Sequence, residues 1–142
     1  MKSSRLGRRV AGTAAVALLV GAGALATAGP AAAKANVITI KKVALHSPGL
    51  QVNVTYSCDP GMHHQLVANA TAVDQPDTDR SIAAGTIKSA KLVCDYNDHN
   101  ATVNLRAATG SHFSHGEHVR VDVWYFDEDG FSYAQEQTVA LL

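Results

Sequence analysis

The sequence predicts an all-β fold: a two-sheet antiparallel β-sandwich of about seven strands, carried behind an N-terminal signal peptide. Three observations predict it. Apolar and polar residues alternate at period two in run after run, which turns one face of each run toward a core and the other toward water. Clusters of Gly, Pro, Asp and Asn punctuate the runs at intervals of about ten residues. No helical period appears between Val37 and Leu142.

The first segment is read apart from the fold. Lys2, Arg5, Arg8 and Arg9 form a basic opening to the apolar run from Val10 to Ala28, and Ala31-Ala32-Ala33 supplies small residues for cleavage after Ala33. Gly29-Pro30 stops a helix ahead of that point, so residues 1–33 have the pattern of a secretory signal peptide. Removing 33 of the 142 residues leaves 109, a length for one domain at 34–142. That domain keeps 8 Lys and Arg against 12 Asp and Glu, a net charge of −4 with histidine neutral. A net acidic chain disfavours a nucleic-acid partner, whose phosphates need a basic surface. No lipid-accepting cysteine follows the apolar run and no hydrophobic tail closes the chain. The expectation is a secreted, extracellular protein with no stable membrane insertion.

Within the domain, Val37 to Leu45 reads as strand one, broken by Ser47-Pro48-Gly49. Gln51 to Cys58 is strand two, with Val52, Val54, Tyr56 and Cys58 on one face, closed by Asp59-Pro60-Gly61. Leu66 to Val73 is strand three, rich in alanine. Ser81 to Leu92 is a weaker fourth strand, interrupted near Lys88-Ser89, and Ala101 to Ala107 is the fifth. The clearest alternation lies in the sixth, where Val119, Val121, Val123 and Tyr125 interleave with Arg120, Asp122, Trp124 and Phe126. Asp127-Glu128-Asp129-Gly130 then turns the chain into strand seven, Phe131 to Leu141. A three-residue loop with Gly130 in the left-handed position pairs Asp127 with Phe131, Tyr125 with Tyr133 and Val119 with Val139. That register leaves Gln135 and Gln137 on the buried side, which calls for a bulge or the sheet edge. Seven such strands argue for a sandwich of immunoglobulin-like type, with a small closed barrel as the alternative.

Cys58 and Cys94, the two cysteines, stand at the ends of apolar-patterned runs in a chain expected to be exported, so a disulfide is expected between them. Tyr56-Ser57-Cys58-Asp59, Val93-Cys94-Asp95, the approach from Phe113-Ser114-His115-Gly116 into the alternation ending at Val123, and the closing Thr138-Val139-Ala140-Leu141 together resemble small exported actinomycete proteins with an immunoglobulin-like sandwich, a family of unknown function. The resemblance spans nearly the whole domain and implies the fold and the disulfide, but no activity. It departs at Cys94-Asp95-Tyr96, where those proteins turn on Cys-Asp-Gly.

Two function classes follow. The first is a non-catalytic binding or surface-interaction module with a protein or carbohydrate ligand and no cofactor. Its candidate contact is Trp124 with Phe126, two apart on the outward face of strand six, unless a loop or bulge covers Trp124. The second is a His-rich domain binding zinc or copper through His112, His115 and His118, although residues three apart on an extended backbone face opposite ways. His63-His64 beside a turn reads as solvated, and Asp127-Glu128-Asp129 reads as a hairpin rather than a calcium loop. No Gly-x-Ser-x-Gly elbow, His-Glu-x-x-His helix or phosphate-binding glycine loop occurs, and the protein is not expected to be an enzyme.

Overall fold

Alternation sorts the side chains as the sequence implies. Leu50, Val52, Val54 and Tyr56 share one face, as do Leu66, Ala68, Ala70 and Ala72, and likewise Val119, Val121, Val123 and Tyr125, and all are buried. Each fully buried Val or Leu contributes about 1.5–3 kcal/mol relative to exposure. The alanines sit beside the larger residues of the next strand, Ala68 opposite Val123 and Ala70 opposite Val121, so that strand can pack closely.

The structure, a computed structural model, describes residues 36–142; the signal peptide expected at 1–33 lies outside the described residues. Seven strands follow in chain order: β1 (Val37–His46), β2 (Gly49–Ser57), β3 (Gln65–Ala72), β4 (Ile82–Ile87), β5 (His99–Ala107), β6 (His118–Phe126) and β7 (Ser132–Leu141). They form one nearly closed antiparallel sheet in the order β1-β2-β5-β4-β3-β6-β7, with the two end strands lying near each other. Its halves, β1-β2-β5 and β4-β3-β6-β7, join where β4 meets β5 through Ala83 opposite Ala107 and Ala84 opposite Arg106. Gly85 allows that approach, because a Cβ there would run into the backbone carbonyl oxygen of Asn104. The expected fourth strand is shorter than its sequence suggests: β4 ends at Ile87, and Ser89–Lys91 forms a 3-10 turn instead.

The last hairpin corrects one expectation. Its turn forms as predicted: the Asp127 N–H donates to the Phe131 carbonyl at 3.0 Å, Gly130 takes φ 89°, and Tyr125 pairs with Tyr133. Beyond it the register shifts between Val123 and Tyr125, so Val119 lies opposite Ala140, and Val139 lies opposite Arg120. The cause is a bulge in which Ala134 and Gln135 together face Trp124, with Ala134 at φ 51°. Holding an alanine there costs about 1–2 kcal/mol. What the bulge achieves is to turn Gln135 and Gln137 outward, removing two amides from the buried side.

Cys58, immediately after β2, is bonded to Cys94, ahead of β5, and their Cα atoms are 4.7 Å apart. Just beyond, Tyr96 takes φ 66°, the left-handed conformation in which glycine is at ease. The bond closes a loop with a sequence separation of 36, which removes unfolded-state entropy equivalent to about 4 kcal/mol on the chain-entropy model. Replacing both cysteines by serine is therefore expected to lower stability by about that amount, read from urea unfolding. Intact mass should rise by two hydrogens on reduction; thiol labelling of the unreduced, unfolded chain would show that no bond exists.

Candidate functional site

Since alternate residues of β6 fill the core, Arg120, Asp122, Trp124 and Phe126 face outward. Pairing across the sheet places Asn69 of β3 beside Asp122 and Val67 beside Trp124. On the other flank, Gln137 of β7 lies beside Asp122 and Ser132 beside Phe126. The result is an open depression on the sheet, floored by Arg120, Asp122 and Trp124 of β6, with Asn69 on one side and Ser132, Gln135 and Gln137 on the other.

Asp122 is the hub of this face. Its Oδ1 accepts from the side-chain amides of Gln137 and, at 3.4 Å, Gln135, while its Oδ2 lies 3.6 Å from Arg120 Nε. Both glutamines reach it only because the bulge at Ala134 turns them outward. Trp124 is half-buried and Phe126 is 40% exposed. The Trp124 indole N–H and the side chains of Asn69 and Ser132 make no hydrogen bond among the described residues, so their polar groups are open to a ligand.

A second cluster closes one end of the core, and sequence reasoning missed its centre. His64, expected to be solvated, is 1% exposed. The reason is that the inward alternation of β3, Leu66, Ala68 and Ala70, begins one step before the strand itself. Its ring lies 4.6 Å from that of Tyr125 and 5.5 Å from that of Tyr133, and its Nδ1 is hydrogen-bonded to the Tyr133 hydroxyl. Nε2 faces Cys94 Sγ at 3.8 Å. A disulfide sulfur has no proton to give, so the arrangement that satisfies both ends is Nε2–H toward sulfur with the Tyr133 O–H donating to Nδ1. The Tyr125 hydroxyl donates to the Ser57 carbonyl at 3.0 Å, and the Val93 N–H donates to the Tyr56 hydroxyl at 3.0 Å. Burial raises the Tyr125 hydroxyl pKa well above its ordinary value and that of Tyr133 to about 12, so both remain protonated.

The histidine run does not gather into a ligand set. His112, His115 and His118 are all exposed, and His118 is held by Asp74, whose Oδ2 accepts from the His118 N–H at 2.8 Å and lies 2.9 Å from Nδ1. Among the described residues, the group of three whose ligand atoms lie within 4.8 Å of one another is Cys58, His64 and Cys94. Both sulfurs there are committed to the disulfide, whereas a metal takes cysteine as thiolate. Asp127 serves the hairpin, its Oδ1 accepting from the Phe131 N–H at 2.7 Å. No helix of the described residues is long and apolar enough to cross a membrane. No protein family, curated protein or solved structure matches the chain.

Burial lowers the pKa of His64, with the nearby charges of Asp59 and Asp127 acting in opposition and His63 adding to the depression. The unfolded chain therefore takes up this proton at a higher pH than the folded one. The stability His64 preserves while neutral is complete above about pH 6.5 and is lost as pH falls below it. Urea unfolding at a series of pH values from neutral to mildly acidic should show wild type losing more stability than His64→Gln across that window. Parallel pH profiles for the two proteins would contradict the assignment.

Proposed function

We propose that this chain is a secreted, non-catalytic binding module with an immunoglobulin-like β-sandwich, and that it engages its ligand through the outer face of β3, β6 and β7 around Trp124 and Phe126. The carrying observation is Trp124, half-buried on a solvent-facing sheet surface beside side chains whose hydrogen-bonding groups are open. A tryptophan sited this way combines a large rigid contact area with a free N–H, the pairing that concentrates binding energy at contact surfaces. Phe126 extends the ring surface one step along the same face of β6.

Other features support the remaining parts of the reading. The strand order, with β1-β2-β5 in one half and β4-β3-β6-β7 in the other, is compatible with an immunoglobulin-like arrangement. A basic and then apolar N-terminus ending in Ala31-Ala32-Ala33, together with the Cys58–Cys94 bond, supports export to an oxidising compartment.

The test is an array carrying immobilised glycans and extracellular proteins, probed with labelled wild type, Trp124→Ala and His112→Ala. Trp124→Ala is expected to weaken every wild-type signal by about tenfold or more at a temperature where the variant remains folded. His112→Ala should retain them. Signals that survive in Trp124→Ala but vanish in His112→Ala would overturn the reading and return the function to the histidine loop.

A further inference from the structure

We infer that the depression around Trp124 receives an uncharged carbohydrate, bound as an internal stretch of a linear polysaccharide. The inference rests on the proposed role of this face and names its ligand. Four features of the depression lead to it.

The first is the pairing of surfaces. A sugar ring is amphipathic, with C–H groups on its faces and hydroxyls around its edge, and it needs an aromatic plane next to in-plane donors and acceptors. Trp124 offers the plane. Asn69, Gln135 and Gln137 offer amides, whose adjacent donor and acceptor suit neighbouring hydroxyls, and Ser132 adds a hydroxyl of its own. The second is charge. Arg120 and Asp122, two apart on the same face of β6, come within 3.6 Å, and Asp122 also accepts from both glutamines, so the one cation and one anion of the depression lie side by side. An anionic ligand at Arg120 would meet the Asp122 carboxylate beside it, and a cationic one at Asp122 would meet the guanidinium. A neutral ligand leaves the network intact.

The third feature is shape. The lining side chains come from three adjacent strands of one sheet face, and among the described residues none of the lining belongs to a loop. Arg120 and Trp124 are four residues apart on an extended strand, so the floor runs for about 13 Å, and Phe126 carries it further. A polymer can lie along such a surface without its end being recognised. The fourth is what a protein partner would require. The core of a protein interface is apolar and depleted of charged residues, whereas here the depression that holds Trp124 is otherwise lined by amides, a hydroxyl and an ion pair, with Val67 and Phe126 beside it.

The experiment is adsorption of the disulfide-intact protein to insoluble neutral polysaccharides (cellulose, starch, a β-1,3-glucan, chitin) and to an insoluble polyuronate. Titration with soluble oligosaccharides, read by tryptophan emission, accompanies it. The expected result is binding to at least one neutral polymer that persists at high salt, weakened about tenfold or more by Trp124→Ala and severalfold by the surface changes Gln137→Ala and Asn69→Ala, which spare the core. Should Trp124→Ala fail to fold, the Gln137 and Asn69 variants decide the matter. Binding only to the polyuronate and lost in salt, or neutral binding indifferent to all three variants, overturns the inference. If no polysaccharide binds while protein signals still depend on Trp124, the carbohydrate is wrong and the contact face stands. If no binding of any kind depends on Trp124, both fall.

Discussion

Inward packing of Val119, Val121, Val123 and Tyr125 holds β6 between β3 and β7, and the rest of the molecule is arranged around that buried row. Because side chains alternate with a period of two, burying this row obliges Arg120, Asp122, Trp124 and Phe126 to face outward. Core and outer face are two sides of one strand. A one-residue slip of β6 would drive an ion pair and a tryptophan inward while exposing three valines, a cost that strongly specifies the register of this strand. The same row reaches the other half of the fold at its end, where the Tyr125 hydroxyl donates to the Ser57 carbonyl of β2.

That end of the core is where the polar groups are concentrated. The cystine, His64 and the three tyrosines fill a corner that a purely apolar set would close more simply. Their hydrogen bonds make it tolerable: Tyr133 meets His64, Tyr125 meets the Ser57 carbonyl, and Tyr56 receives the Val93 N–H, so the three tyrosine hydroxyls and the imidazole are satisfied although buried or half-buried. β4 and β5 pair through only two residues each, and the cystine adds a covalent tie beside β2 and β5. A neutral His64 is part of this arrangement, and its displacement toward acid titration follows from lying between rings and sulfur rather than in water.

Much of this was legible in the sequence because period two is a strong signal. The seven strands, the outward row on β6, the hairpin at Asp127 to Gly130 and the Cys58–Cys94 bond all follow from alternation, turn residues and cysteine placement. What escaped has specific causes. No glycine or proline marks the bulge at Ala134, so the pairing of Val119 with Val139 was the economical reading, and its one symptom was that Gln135 and Gln137 faced the wrong way. His64 stands before the strand begins, in a turn context that suggests water, although the spacing His64, Leu66, Ala68, Ala70 carries its orientation. Tyr96 occupies a left-handed position suited to glycine, and its identity gives no hint of that. The partners of Asp122 were invisible for a related reason, since they meet across strands whose register depends on the bulge.

The central claim is that the bulge in β7 brings Gln135 and Gln137 onto the face that carries Trp124. Cross-strand proton contacts measured by NMR test it directly. The account predicts contacts that place Asp122 opposite Gln137 and Arg120 opposite Val139, together with side-chain contacts from Asp122 to the Gln137 amide. Contacts placing Val119 opposite Val139 and Val121 opposite Gln137 would mean an unbulged strand, with both glutamines turned inward and away from Trp124.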